Sequence, residues 1–114
     1  MKPGLALLAI AMTGAAPPVS PPEPRILTVE NRTAQPIFQL YVETVTPNCW
    51  CEDVLGDKII EAGTSLRIDL GDGKSCRYDL VAVMKDGIRI SQYNADLCAA
   101  RKWAVGPDAQ ARLE

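Results

Sequence analysis

The sequence contains no histidine among its 114 residues. Imidazole is the usual general base beside a serine or cysteine nucleophile, and it is a common metal ligand. Its absence therefore excludes Ser-His and Cys-His catalysis and every metal site that needs imidazole. No serine stands in a nucleophile-elbow context, and no pair of buried carboxylates is evident. We therefore expect a protein that is not an enzyme, with hydrolase activity the least expected of all.

Clustered basic residues are also absent. The chain has 12 Lys and Arg against 14 Asp and Glu, a net charge of −2, with no basic run. Proteins that bind nucleic acid neutralise phosphates with grouped Lys and Arg side chains. Nucleic acid is thus not an expected partner. The sequence also lacks internal repeats and any amphipathic helix of useful length.

The N-terminus has the pattern of a bacterial secretory signal. A positive start at Lys2 precedes the apolar run from Leu5 to Met12, and small residues follow up to Ala15. We predict a signal peptide at residues 1–15, cleaved after Ala15. The apolar run is too short to cross about 30 Å of hydrocarbon, so no membrane span is expected after cleavage. The predicted location is periplasmic or secreted.

The remaining chain divides by composition into three parts. Residues 16–24 are rich in proline, which predicts an extended linker. Residues 25–106 alternate apolar and polar positions in short runs, and residues 107–114 are expected to be a flexible tail. Within the run from Ile37 to Glu43, alternation predicts that Phe38, Leu40 and Val42 face inward. Six or seven such strands indicate a small antiparallel β-sandwich or open barrel, stapled by disulfides.

Two glycine-containing turns predict tight hairpins. One is Gly71-Asp72-Gly73-Lys74, and the other is Asp86-Gly87. The long strand between them is apolar on both faces in its second half, which predicts a central position in its sheet. The second hairpin returns through a strand in which Ile88 and Ile90 are expected to face inward. Residues 101–105 could add a last strand.

Four cysteines in a small exported chain predict disulfides. Cys76 and Cys98 stand at opposite ends of the second hairpin and its exit, where antiparallel pairing makes a bond between them plausible. Closing a loop of about 20 residues would stabilise the fold by roughly 3 kcal/mol in the chain-entropy model.

The second cysteine pair is Cys49 and Cys51, on either side of Trp50. A strained disulfide within this segment would be either a local staple or, through its raised reduction potential, a redox couple. Two thiolates also suit a soft metal such as Cu(I) or Zn, but third and fourth ligands are missing nearby. Exchange with Cys76 or Cys98 is a further alternative. We expect no cofactor and no metal.

Three more residues are candidate binding residues. Trp50 either caps one end of the sandwich or is an exposed recognition aromatic. Asp53 either caps a turn or is a Ca²⁺ ligand. Asp79 lies on the long strand, where a carboxylate has to be exposed or paired, and Arg67 or Arg89 is its expected partner.

Several motifs follow one another along the chain. They are Asn31-x-Thr33, Trp50-x-x-Asp53-x-Leu55-Gly56, Cys76-x-Tyr78-Asp79-Leu80 and Asp96-Leu97-Cys98. Their order resembles an uncharacterised family of small exported bacterial β-domains, and the resemblance covers roughly residues 30–98. It implies export and an all-β fold, with Cys76 and Cys98 as the usual cysteine pair, and it implies no activity. This chain departs from the family at Cys49 and Cys51, where serine and glycine are more usual.

These observations favour a non-enzymatic binding module in the periplasm, with an unidentified protein or small molecule as its partner. Loops carry function more often than scaffolds, so the expected binding face is the loop from Cys49 to Gly56 with the nearby strand edges. An alternative is a thiol redox or soft-metal protein that uses Cys49 and Cys51. A further alternative is a periplasmic enzyme inhibitor.

Overall fold

The computed structural model describes residues 25–45, 52–71 and 75–114. These residues form seven β-strands and no helix, which confirms the all-β prediction. The predicted signal peptide, the predicted linker and the Cys49-Trp50-Cys51 segment lie outside the described residues. The strands are β1 (Ile26–Asn31), β2 (Ile37–Thr44), β3 (Ser65–Asp69), β4 (Arg77–Met84), β5 (Arg89–Asp96), β6 (Lys102–Val105) and β7 (Ala111–Leu113).

The strands form the two sheets of a β-sandwich. One sheet has the order β3-β1-β6-β7 and the other has the order β2-β4-β5. The predicted central position of the long strand is confirmed, since β4 lies between β2 and β5. Most neighbours are antiparallel, but β1 and β6 pair in parallel. A parallel pair needs a long connection, and here nearly the whole domain lies between the two strands.

The hairpin predicted at Gly71-Asp72-Gly73-Lys74 is wrong. The strand before it, β3, pairs with β1, while the strand after it, β4, pairs with β2 and β5. The connection therefore passes from one sheet to the other. Glycine permits a turn at this point, but it does not determine which strands pair.

The hairpin predicted at Asp86-Gly87 is confirmed. The Met84 amide donates to the Ile88 carbonyl at 2.8 Å, and Gly87 adopts a φ of 89° that suits glycine. The inward orientation expected for Ile88 is wrong, because its side chain is 51% exposed. Ile88 closes the turn before β5 begins, whereas Ile90, within β5, is buried as predicted.

A bulge in β2 overturns the predicted orientation of Phe38. The pairing of β2 with β4 shifts register between Ile37 and Gln39. An extra residue at a bulge reverses the alternation of side chains beyond it. As a result Ile37 and Leu40 are fully buried, and Phe38 is 40% exposed.

The segment from residue 107 to residue 114 was expected to be a flexible tail, but its last residues form a strand of the sandwich. Strand β7 pairs antiparallel with β6, and the Glu114 amide donates to the Lys102 carbonyl at 2.8 Å. Ala111 and Leu113 pack against the core, which explains why this polar-looking segment is ordered.

Apolar side chains from both sheets fill the space between them. Trp103 is the largest fully buried side chain, and its indole N–H donates to the Gln92 side-chain oxygen at 2.8 Å. This bond satisfies the one polar atom that burial of a tryptophan would leave without a partner. Other fully buried core residues include Leu27, Val29, Ile37, Leu40, Leu80, Leu97 and Val105.

Candidate binding cleft at one end of the sandwich

The Asp53 carboxylate fastens the segment after residue 51 to the free edge of β2. Its Oδ1 accepts the amide N–H of Leu40 at 2.9 Å and that of Leu55 at 3.0 Å. The Val54 amide donates in turn to the Leu40 carbonyl at 2.8 Å. The turn-capping interpretation of Asp53 thus agrees with the structure, and the same oxygen also protects a sheet edge. Among the described residues Asp53 belongs to no group of metal-ligating side chains.

The Asp79 carboxylate supports a second bulge, between β4 and β5. Tyr78 pairs with Ala95 and Leu80 with Gln92, so two residues of β5 stand opposite Asp79. Its Oδ1 accepts the amide N–H of Asn94 at 2.8 Å. Asn94 has a φ of 56°, as expected for a residue at such a bulge. This contact gives Asp79 a structural role.

Neither arginine expected beside Asp79 stands next to it along the strands. Arg67 lies on β3 in the other sheet, opposite Thr28. Arg89 pairs with Val83, four residues further along β4. The sequence pattern indicated a carboxylate that needs a partner, but it could not show that a backbone amide at a bulge would supply one.

Cys76 and Cys98 form the predicted disulfide, with their Cα atoms 5.1 Å apart. The amide of Leu97 donates to the Cys76 carbonyl at 2.8 Å, and Asp96 accepts the amides of Cys98 and Ala99. The two sulfurs and the Asp96 carboxylate lie within 4.8 Å of one another, the spacing of a metal site. Because the sulfurs are bonded to each other, these atoms do not offer thiolate ligands.

Asn31 organises the loop between β1 and β2, a role that the sequence did not reveal. Its side chain is fully buried. Its amide nitrogen donates to the carbonyls of Gln35 at 2.7 Å and Ile60 at 2.9 Å. Its oxygen accepts the amide of Thr33 at 3.0 Å and the Thr33 hydroxyl at 2.7 Å. A loop with these bonds has a defined shape before anything binds to it.

The same loop is joined to the turn between β4 and β5. The Gln35 side-chain amide donates to Asp86 Oδ2 at 2.9 Å, and the Ile88 backbone amide donates to Asp86 Oδ1 at 3.0 Å. The Lys85 amide donates to the Pro36 carbonyl at 3.0 Å. The hydrogen bond from Ile88, followed by that from Gln35, holds the pKa of Asp86 below its usual value, which keeps the carboxylate charged.

The loop between β6 and β7 reaches the same end of the sandwich. It closes with the Gly106 amide donating to the Gln110 carbonyl at 2.6 Å. Asp108 and Ala109 at its tip have φ values of 60° and 58°. Two successive non-glycine residues in this left-handed region are uncommon, and they raise the conformational energy of the loop.

The β1–β2, β4–β5 and β6–β7 loops border an open cleft of about 360 Å³. Its polar side chains are those of Thr33, Gln35, Asp86 and Asp108, and none of the described residues that line it is Lys or Arg. Met84 and Ile90 are buried core residues at its base, while Ile88 is half exposed at its margin. The cleft therefore combines an apolar surface with two carboxylates. Its apolar lining consists mainly of Ala34, Met84, Ile88, Ile90, Pro107 and Ala109.

A second cleft, of about 480 Å³, lies beside the same β6–β7 loop and includes Arg32 and Arg112 in its lining. Glu114 accepts hydrogen bonds from Arg32 at 2.7 and 2.8 Å and from Arg112 at 2.9 Å. These hydrogen bonds lower the pKa of Glu114 to about 2, and the bonds from Arg32 contribute more than the bond from Arg112. Arg32 also contacts Glu30, which lowers the pKa of that carboxyl. The β6–β7 loop thus borders two clefts, one lined by no Lys or Arg and one lined by two arginines, and Asp108 lines both.

Comparisons with protein-family models, with curated proteins and with solved structures gave no match. In the part of the chain that the structure describes, no helix has the length and apolar character needed to cross a membrane.

Proposed function

We propose that this chain is an exported, non-enzymatic binding module that holds a partner in the cleft formed by the β1–β2, β4–β5 and β6–β7 loops. The observation that carries the proposal is the set of hydrogen bonds that fixes these loops around an open cleft. Asn31 and Asp86 together hold two of the three loops in place. Preorganised loops at one end of a sandwich bind with a smaller entropic cost than mobile ones.

The polar groups of the cleft favour binding over catalysis. Asp86 already accepts two hydrogen bonds. The Thr33 hydroxyl donates either to the Asn31 side-chain oxygen or to the Gln35 carbonyl, and it accepts a hydrogen bond from the Gln35 backbone amide. An efficient general base has a pKa near the working pH, whereas the hydrogen bonds from Ile88 and Gln35 lower the pKa of Asp86 and make it a weak base. These side chains are suited to hold the loops in place and to contact a ligand.

The loop-end cleft replaces the segment from Cys49 to Gly56 as the favoured face. The described part of that segment uses its one well-placed carboxylate, Asp53, for backbone amides of the sandwich itself. Asp79 likewise accepts an amide of its own sheet. Neither carboxylate therefore supports the binding role that the sequence suggested for it.

Export is supported by the disulfide as well as by the N-terminal sequence pattern. Disulfides form and persist in oxidising compartments such as the bacterial periplasm. Intact-mass measurements of the protein purified separately from periplasmic and cytoplasmic extracts test this part of the proposal. We expect a chain that begins at Ala16 and carries an oxidised Cys76–Cys98 pair; a full-length chain retained in the cytoplasm would refute export.

Site-specific photo-crosslinking in native cells tests the binding face. A photoreactive phenylalanine analogue is placed at Ala34 or Ile88, in the cleft lining. The comparison positions are Glu52, within the segment from Cys49 to Gly56 that was first expected to bind, and Arg67 on the outer face of β3. Both are exposed. The proposal expects one discrete partner from both cleft positions and none from Arg67. Crosslinking from Glu52 alone would move the binding face to the other segment, and no partner from any position would refute a binding module.

A further inference from the structure

We infer that the cleft takes a segment of a partner protein in which a lysine or arginine is flanked by apolar residues. This inference rests on the proposed function and specifies its ligand. The surface concerned is the cleft between the three loops, not the neighbouring cleft that Arg32 and Arg112 line.

Charge complementarity points to a cationic side chain. Asp86 and Asp108 both line the cleft, and none of its described lining residues is basic. Asp108 also lines the neighbouring cleft, where Glu114 accepts hydrogen bonds from Arg32 and Arg112. The Asp86 carboxylate is fixed by donors from Gln35 and Ile88, so its charge stays at one place. Two carboxylates in a described lining without Lys or Arg favour a positive ligand and oppose a negative one.

The apolar base of the cleft explains why the cation would belong to a lysine or arginine side chain. The buried residues Met84 and Ile90 are part of the lining, as are Ile88 and Pro107. Lysine and arginine place a charged group at the end of an apolar stem, so the stem can cover Met84 and Ile90 while the charge meets the acids. A volume of about 360 Å³ is near the lower limit of small-molecule sites, and it fits one long side chain with part of its neighbours.

Three pools of synthetic pentapeptides test the inference. Each pool has the form acetyl-x-x-O-x-x-amide, where x is Ala, Val, Leu or Pro, and the central residue O is lysine, norleucine or glutamate. Binding to the mature protein is followed by the amide NMR signals of Ile88, Ile90 and Ala109, at low salt. We expect saturable shifts with the lysine pool and with the norleucine pool, and an affinity about fivefold higher for the lysine pool. The glutamate pool should produce no shifts.

The variant Asp108→Asn removes one charge from the cleft. Asparagine tolerates the left-handed backbone of this position, so the loop keeps its shape. We expect the lysine pool to bind this variant about as weakly as the norleucine pool, with norleucine binding unchanged. The matched control is Asp57→Asn, an exposed position outside the cleft lining that changes the net charge equally. Addition of 0.5 M salt should remove the lysine advantage as well, because it screens exposed charges.

The outcomes separate this inference from the proposed function. If lysine and norleucine pools bind alike, or if Asp108→Asn and Asp57→Asn reduce lysine binding equally, recognition of a cation by the cleft is refuted. If no pool shifts the cleft signals, a peptide ligand is refuted. In each of these cases the crosslinking at Ala34 and Ile88 still decides separately whether the loop end is a binding face.

Discussion

Substitution of Asn31 should destabilise the protein more than that of any exposed polar residue, because four hydrogen bonds converge on its side chain. They join it to the carbonyls of Gln35 and Ile60 and, twice, to Thr33. At about 1 kcal/mol net for each bond, Asn31→Ala has an upper cost of about 4 kcal/mol. In the variant the Thr33 hydroxyl can donate to the Gln35 carbonyl instead, and Ile60 also accepts the Ile37 amide, so neither carbonyl loses every donor.

We therefore expect Asn31→Ala to lower the free energy of unfolding by about 3 kcal/mol. In a domain of this size that corresponds to a decrease of roughly 15 °C in Tm. Urea unfolding followed by tryptophan fluorescence measures the change, since Trp103 is buried in the core. Gln39→Ala, at an exposed position of the neighbouring strand, is the matched control and should change the free energy by less than about 0.5 kcal/mol.

Asn31→Asp separates hydrogen bonding from shape. The aspartate keeps the size of the side chain but places an oxygen where the amide nitrogen met two carbonyl oxygens. Burial raises the pKa of such a carboxyl, so its folded state binds a proton more tightly than its unfolded state. Stability relative to the wild type should hence increase as the pH falls and decrease as the pH rises. Wild-type stability in Asn31→Ala, or a flat pH dependence in Asn31→Asp, would refute the view that these bonds organise the loop.

Three further predictions concern other parts of the sandwich. Cys76→Ser, Cys98→Ser and the double variant should each lower the free energy of unfolding by about 3 kcal/mol in urea, because each opens the same loop; additive losses would contradict this. Asp53→Ala should cost about 2 kcal/mol, since two backbone amides lose their acceptor, whereas Asp53→Asn, which keeps an acceptor oxygen, should cost clearly less; equal losses would show that charge matters instead. The lowered pKa of Glu114, about 2, means that its contribution to stability is complete above its ordinary pKa of 4.5 and is lost as the pH falls toward 2. Glu114→Gln should remove that part of the acid sensitivity in a pH series of thermal melts, and an unchanged series would contradict the role of the Arg32 contact.

The candidate site shows where sequence reasoning had no signal. Asn31 stands before Arg32 and Thr33 and reads as an ordinary turn residue, yet it is fully buried. Its burial depends on Ile60, which lies far along the chain and approaches through a single bridge to Ile37. Asn-x-Thr at a strand end was the one available indication, because asparagine and threonine both bond to nearby backbone groups in loops.

The sequence alone determined the local features of this protein. Alternating side chains indicated the strands, Asp86-Gly87 indicated its hairpin, and the two-sided apolar pattern of β4 indicated a central strand. The spacing of Cys76 and Cys98 indicated their bond. Each of these depends on neighbouring residues or on one hairpin, where steric preferences and side-chain periodicity act directly.

Only the tertiary structure decided which strands are neighbours. Glycines after β3 favoured a hairpin, but β3 pairs with β1, and β1 also pairs in parallel with β6. The bulge that exposes Phe38 and the pairing that orders β7 likewise depend on partners distant in sequence. Strand pairing satisfies backbone groups that are the same in every residue, so local sequence constrains it weakly. The cleft is formed by three loops that meet at one end of the sandwich, and it exists only because both sheets bring them there.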